Sequence, residues 1–362
     1  MKKTNFYDIH EKYQAKLVDY AGFRMPIQYP AGILAEHKIV REACGIFDVT
    51  HMGEFFVSGA DSLSFIQKIT VNDASKLEIG DAQYSAMCYL DGGIVDDLLV
   101  YKLTDSDYML VVNGSNIDKD FDWCKQNSKG FDIELTNQSD DYNLLAVQGP
   151  KSLEILNPLS DIDMAEIPFY KFKTGKLLDL DMIISRTGYT GELGFELYFK
   201  GDKETALKVL DSLLEAGKEN NIALVGLGAR DTLRMEKGYA LYGNDINETT
   251  NPIEAGLGWI TKTSKGSFNG FDVIKKVREE KPKRKLVGIV VEADRFIARQ
   301  GHKIFADGKE IGLITSGNMS PSLNIPIGMG YVSSQYAVPD TRIEIERKGK
   351  FFPAIVKKMP LL

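Results

Sequence analysis

Two adjacent carboxylates, Asp96 and Asp97, interrupt an otherwise apolar run from Ile94 to Tyr101. Successive residues of an extended chain face opposite ways, so Asp96 shares a face with Leu98 and Val100, and Asp97 with Leu99 and Tyr101. On either face a carboxylate lies among aliphatic side chains, where an unpaired charge is costly. Such a group takes a partner, a raised pKa or a ligand; the alternative is an edge strand with both acids in water. A third acid, Glu196, stands in an aromatic strand flanked by Phe195 and Tyr198. Before it, glycines at 188, 191 and 194 allow backbone to approach a ligand or another strand closely. Glu196 on a solvated edge is the competing reading. Arg230 and Arg234 are one helical turn apart, and two inward-pointing guanidiniums would suit an anionic ligand, although Asp231 and Arg234 could simply pair on the surface.

These residues need elements to hold them. Leu90-Asp91-Gly92-Gly93 reads as a hairpin turn feeding the strand that carries Asp96, and residues 108–113 read as a strand beside it. A helix over 31–43 ends before Cys44-Gly45. Residues 46–59 form two short strands with His51 and Met52 at the bend, where a lone histidine is read as structural. Helices are expected from Asp61 to Thr70 with Asp61 as N-cap, over 116–126 with Trp123 on the apolar face, over 203–220 and over 225–237. Tyr142 to Pro150 is a strand ending in a turn. Strands and helices mix without strict alternation, which predicts an α+β arrangement with antiparallel strands. Residues 238–246 and 256–260 are loop-rich and aromatic, and Trp259 is core filler unless a neighbouring site makes it a stacking wall. Residues 275–285, dense in Lys, Arg and Glu with one proline, read as a linker. Beyond it, short strands at 286–291, 302–305, 309–316, 327–332, 342–347 and 351–357 predict a small separate β-barrel or sandwich.

The 362 residues call for about two to three domains. A formal charge of -7 disfavours a broad nucleic-acid surface but not an anionic small ligand. There is no apolar run long enough for a transmembrane helix, no signal-like N-terminus and no P-loop. Three cysteines (Cys44, Cys88, Cys124) without metal-like spacing read as reduced thiols of a cytoplasmic protein, and four histidines with no ligand-spaced pair disfavour a zinc site.

The ordered series of motifs resembles the glycine cleavage T-protein family, the aminomethyltransferases. It comprises Phe47-Asp48-Val49-Thr50-His51-Met52-Gly53, the Gly-Gly-Ile-Val-Asp-Asp run at 92–97, Val147-Gln148-Gly149-Pro150 and Arg186-Thr187-Gly188-Tyr189-Thr190-Gly191-Glu192. It continues with Gly228 to Arg234, Leu241 to Ile246, Thr315-Ser316-Gly317 and Ser320-Pro321-Ser322-Leu323. The resemblance implies a three-domain cloverleaf around a central folate-binding hole. Its parts would be a discontinuous first domain (1–50 plus 141–270), a second (51–140) carrying the catalytic acid, and a C-terminal barrel (284–362). It implies transfer of methylene from an aminomethyl group on the lipoyl arm of a partner H-protein to tetrahydrofolate, with release of ammonia. By that likeness Asp96, rather than Asp97, matches the essential acid. Glu196 and Arg230 match folate-binding residues, while Met52, Tyr84, Tyr189 and Trp259 would line the hole. A pterin ring offers an N–H and an amino group side by side, which a carboxylate such as Glu196 can accept bidentately, and flat aromatic walls suit its faces.

Two departures are visible: Phe23 stands where such proteins commonly carry Trp, and the chain stops at Leu362 without the extra aromatic residues of some relatives. Rival readings on the same scaffold are a folate-dependent demethylase with another one-carbon donor and a non-catalytic folate-binding factor of iron-sulfur assembly. The latter carries a cysteine in a Lys-Gly-Cys-Tyr-like motif, where this chain has Lys265-Gly266-Ser267-Phe268. An acidic partner would favour a basic patch, for which Lys281-Pro282-Lys283-Arg284-Lys285 is a candidate and a solvated linker the alternative.

Overall fold

The computed structural model describes residues 1–293 and 296–362. The chain forms two compact units, one of residues 1–67, 74–84 and 98–231, the other of residues 68–73, 85–97 and 232–362. In chain order, α1 (Tyr7–Lys12) precedes a hairpin of β1 (Lys16–Tyr20) and β2 (Phe23–Gln28), and α2 (Ile33–Glu42) leads into β3 (Cys44–Asp48). There follow β4 (Gly53–Ser58), α3 (Ser62–Ile69), β5 (Ala82–Cys88), β6 (Ile94–Lys102), β7 (Asp107–Val112), α4 (Ile117–Asn127), β8 (Glu134–Asn137) and β9 (Tyr142–Gln148). After α5 (Ser152–Leu156) come β10 (Phe172–Leu177), β11 (Leu180–Ser185), β12 (Gly194–Lys200), α6 (Lys203–Ala216), β13 (Ile222–Leu224) and α7 (Leu227–Glu236).

Two sheets organise these elements, of order β10-β11-β12-β9-β3-β13 and β5-β6-β7-β4-β8. The pairings β10–β11, β11–β12, β12–β9, β3–β9, β6–β7, β4–β7 and β4–β8 are antiparallel, as the lack of strict strand–helix alternation predicts, and the β13–β3 edge is parallel. In the first unit, one face of the six-stranded sheet is apolar: Phe195, Leu197 and Phe199 of β12 and Leu145 and Val147 of β9 pack on Leu156 of α5 and Leu210 and Leu213 of α6. A strand alternates faces, so Glu196 and Tyr198 of β12 and Tyr142 of β9 stand on the other face. Ser185 of β11 is paired opposite Glu196 there. Against this polar face lies the five-stranded sheet. Phe56 of β4 stacks on Tyr142 with ring centres 5.6 Å apart. The Tyr101 hydroxyl of β6 meets those of Tyr198 (3.1 Å), Ser185 (3.1 Å) and Thr187 (3.2 Å).

The turn between β3 and β4 is tied to the N-terminus by a buried cluster. Asp48 accepts from the Thr4 hydroxyl at 2.6 Å and the Thr50 N–H at 3.0 Å, and pairs with His10 Nε2 at 2.9 Å. The second ring nitrogen of His10 meets the Tyr29 hydroxyl at 2.9 Å. Burial alone would raise the Asp48 pKa, but His10, Thr4 and Thr50 together hold it below the ordinary 3.8. Its stabilising contribution is therefore complete above the unfolded value of 3.8 and is lost as pH falls from there through the lower folded value.

In the second unit the barrel is closed, with strands β14 (Arg284–Val291), β15 (Lys303–Ala306), β16 (Lys309–Ser320), β17 (Ile325–Ser333), β18 (Arg342–Arg347) and β19 (Lys350–Lys357) in the order β14-β17-β16-β15-β18-β19. The expected linker is instead mostly α8 (Phe271–Glu280), which leaves only residues 281–283 as connection. Its charges are a solvated helix face supported by i,i+4 pairs of Lys275 with Glu279 and Lys276 with Glu280, while Ile274 is buried. Within the basic run after it, Arg284 is committed to Glu254 through Nε (3.0 Å) and Nη2 (2.9 Å).

Arg234, expected either to join Arg230 facing a ligand or to pair with Asp231 on the surface, is not at the surface. It is buried with its Nη1 on Asp245 at 2.6 Å and its Nη2 on Ser316 of β16 at 2.9 Å. Asp245 also accepts from Ser316 (2.8 Å) and Thr315 (2.5 Å), which docks the 239–246 loop on the barrel. Two residues along, Glu236 accepts from the hydroxyls of Ser320 and Ser322 at 2.6 and 2.9 Å. Among the described residues no helix is long and apolar enough to cross a membrane. Asp245→Ala leaves a buried guanidinium unpaired, so denaturant unfolding should show a loss of about 3–5 kcal/mol; a loss below about 1 kcal/mol, the range of exposed pairs, would contradict this role.

Candidate functional site

The site in the first unit is built around the side chain of Gln148, at the end of β9. Its amide NH2 donates to the carbonyls of Thr187 (3.2 Å) and Phe195 (3.4 Å), and its oxygen accepts from the Thr190 hydroxyl at 2.8 Å. A Cβ at Gly188 would come within 2.1 Å of the Gln148 amide oxygen, and one at Gly194 within 2.5 Å of its nitrogen. These two glycines thus make room for a glutamine. Arg41 of α2 holds the far side of the same loop, donating to the Thr190 carbonyl at 2.6 Å and to Glu192 at 3.0 Å. The loop that presents Tyr189 and leads to Glu196 is therefore fixed at both ends.

Glu196 is 8% exposed. Burial raises its pKa, while hydrogen bonds from Thr187 and Tyr198 and the charge of Arg230 oppose the rise. Arg230, half-buried on α7, lies over the Tyr189 ring with its guanidinium carbon 4.6 Å from the ring centre. A carboxylate, a guanidinium and a tyrosine face are thus gathered on one side of the six-stranded sheet. His51, in the β3–β4 turn, also feels Arg230: burial and then that positive charge depress its pKa to about 4, against a smaller opposing effect of Asp48. It is held neutral, edge-on to Tyr20, and its Nδ1 has no hydrogen-bond partner among the described residues.

Of the residues singled out in the sequence, Glu196, Arg230 and Tyr189 lie together in the first unit. Met52 and Tyr84 are half-buried in that same unit. Asp96 and Trp259 belong to the second. Alternation along β6 separates the paired acids: Asp96 is fully buried and Asp97 half-buried. The preceding hairpin fixes Asp96 through its backbone. Ile94 N–H donates to the carbonyls of Asn247 (3.2 Å) and Thr250 (3.1 Å), and the Tyr242 hydroxyl donates to the Ile94 carbonyl at 3.2 Å. Gly93 is required for that approach, since a Cβ there would meet the Glu248 carbonyl oxygen at 1.9 Å. Trp259 is 63% exposed and so is not core filler.

One acid escaped the sequence reading. Glu54 of β4 is buried beside Glu196 and the tyrosines of the polar face. The signal was present: Gly53-Glu54-Phe55-Phe56-Val57 is an acid inside an apolar strand, the pattern that drew attention to Asp96.

A buried carboxylate, a guanidinium and a tyrosine face thus stand together beside the six-stranded sheet, in a chain that also forms a closed barrel. Comparison with known proteins gives the family. Residues 6–265 match the family profile "GCVT N-terminal domain" and residues 284–362 match "Glycine cleavage T-protein C-terminal barrel domain". The aminomethyltransferase of Halothermothrix orenii is 49% identical over 362 residues, covering 100% of both chains. That of Chloroherpeton thalassium is 50% identical, covering 100% of this chain and 99% of its own. The crystal structure of the glycine cleavage system aminomethyltransferase T from Bartonella henselae superimposes with a TM-score of 0.93 at 34% identity, covering 100% of this chain and 98% of that one. The chain belongs to the glycine cleavage T-protein family, the aminomethyltransferases.

Because Arg230 helps depress His51, an NMR titration should give His51 a midpoint near 4, moving upward in Arg230→Ala. A midpoint at the ordinary 6.5, or one indifferent to Arg230, would remove the two from a shared electrostatic environment.

Proposed function

We propose that this enzyme transfers the methylene of an aminomethyl group, carried on the lipoyl sulfur of a partner H-protein, to tetrahydrofolate. In the balanced reaction the carbon–sulfur and carbon–nitrogen bonds of that group break. Ammonia leaves, the lipoyl thiol is restored, and the carbon bridges N5 and N10 of the folate as 5,10-methylenetetrahydrofolate. No external oxidant or reductant is needed.

The observation that carries this reading is the buried Glu196 carboxylate with Arg230 and Tyr189 beside it. A reduced pterin presents adjacent N–H and NH2 donors, and Glu196 offers two oxygens for them in surroundings that exclude water. Arg230 supplies positive charge for a ring oxygen or the ligand's carboxylates. Met52, Tyr84, Tyr189 and Trp259 are assigned to the walls of the folate hole. Asp96 is the assigned acid, binding or accepting a proton near the folate nitrogens. Its apolar strand and hairpin-fixed backbone suit a group that must hold its position. Bringing two large carriers together supplies much of the rate, since effective molarities are worth roughly 7–11 kcal/mol. The absence of a thiol at Ser267 favours this enzyme over the iron-sulfur assembly rival.

Tetrahydrofolate-dependent ammonia release from aminomethylated H-protein is the direct assay. Turnover with only a different one-carbon donor would favour the demethylase reading. Asp96→Asn keeps shape and removes the base, so folate binding should persist while methylene transfer is abolished; normal turnover would remove Asp96 from the chemistry. Glu196→Ala leaves ligand donors unpaired at about 1–3 kcal/mol, a roughly 5- to 150-fold weaker Kd by calorimetry. An unchanged Kd would take Glu196 out of the site.

A further inference from the structure

Glu54 is 1% exposed, and neither carboxyl oxygen has a hydrogen-bond partner among the described residues. Leaving a buried polar group unsatisfied is destabilising, so an orphan of this kind marks a place where something other than stability is served. Its position is specific. Glu54 and Phe56 alternate onto one face of β4, and Phe56 stacks on Tyr142 of the opposing sheet, so Glu54 points toward the polar face that carries Glu196. Two acids thus meet in one desolvated layer, from different sheets.

The charges do not balance if both are ionised. Arg230 is the cation that acts on Glu196, and it is already engaged with the Tyr189 face. Among the described residues, the other titratable groups coupled to the pair are Tyr198 and Tyr101, whose pKa values burial and then Glu196 push up, and Tyr142, raised to about 12 by burial, Glu54 and Asp141. All three are neutral at physiological pH and none supplies positive charge. His51, near Arg230, is neutral as well. Two close carboxyls with one guanidinium resolve by keeping one proton between them. Glu196 has Thr187, Tyr198 and Arg230 to support a negative charge, whereas Glu54 has no such support and feels Glu196 as a repelling neighbour.

We propose that Glu54 is a positioning residue of this site: a carboxylic acid kept neutral beside Glu196, which confines the single negative charge to Glu196 so that it meets the ligand as an acceptor. The proposal rests on the folate reading for the ligand's identity, but not for the coupling of the two acids. When Glu54 ionises at higher pH, the like charge drives the ligand-binding carboxylate away from its geometry, and affinity falls. A neutral isostere cannot do this.

Both parts are tested on the full chain. With glutamate side-chain carboxyls labelled with carbon-13 and no ligand present, one resonance should remain in the protonated range where the other glutamates, Glu196 among them, are ionised. That resonance should be missing in Glu54→Gln, and in Glu196→Gln its midpoint should move downward because the like charge is gone. An ionised Glu54, or a midpoint indifferent to Glu196→Gln, overturns the proposal whether or not folate binds. With tetrahydrofolate, Glu54→Gln should bind within about twofold of the parent chain near neutrality. The parent's affinity should fall with rising pH while that of Glu54→Gln stays flat. Identical pH profiles also overturn it. Absence of folate binding in either chain would instead sink the ligand assignment, leaving the carboxyl titration to decide on Glu54.

Discussion

A carboxylate taken out of water between two sheets needs compensation, and Glu196 is where the first unit must meet that demand. Its negative charge is costly to bury alone. The fold supplies a hydroxyl from Thr187, another from Tyr198 and the positive field of Arg230. Each comes from a different stretch of chain, so the loop, the strand and the helix must keep their places for the charge to be tolerable. The Gln148 amide, enclosed by Gly188 and Gly194, fixes the loop, and the Arg41 contacts fix its outer edge. The polar layer between the sheets and the glycine-rich loop are two parts of one electrostatic arrangement.

The two arginines of α7 illustrate how neighbouring residues of one type divide their duties. Arg230 lies half-buried over an aromatic ring, with its charge directed at Glu196 and His51. Arg234 is enclosed by Asp245, Ser316 and the Tyr239 carbonyl and holds a loop to the barrel. A guanidinium with saturated partners is structural, whereas one stacked on a ring retains donors for a ligand.

Much of this was legible in the chain. Period-two patterning and turn residues identified β3, β4, β6, β7, β9, β12 and the six strands of the barrel, while the β1–β2 hairpin and strands β8, β10 and β13 were not read. The acids in apolar strands stood out from the same patterning. Charge density misled at 275–280: charged side chains on one face of a short helix look like a linker when the buried face contributes only residues such as Ile274. The pairing of Arg234 with Asp245 was invisible because Asp245 lies in a loop whose docking on β16 is set by tertiary structure. Sequence could not divide the roles of Gly188 and Gly194 between a ligand and the side chain of Gln148, since both need the same missing Cβ. Glu54 was passed over although its strand resembles that of Asp96, because no second acid adjoins it.

Whether Glu196 is the acceptor for a reduced pterin is decided most directly by an experimental structure of the chain with tetrahydrofolate bound. The expected result is the pterin N–H and amino group on the two Glu196 oxygens, within hydrogen-bond distance, with the ring against Tyr189. A folate held elsewhere, with Glu196 still bonded only to Thr187 and Tyr198, would contradict it.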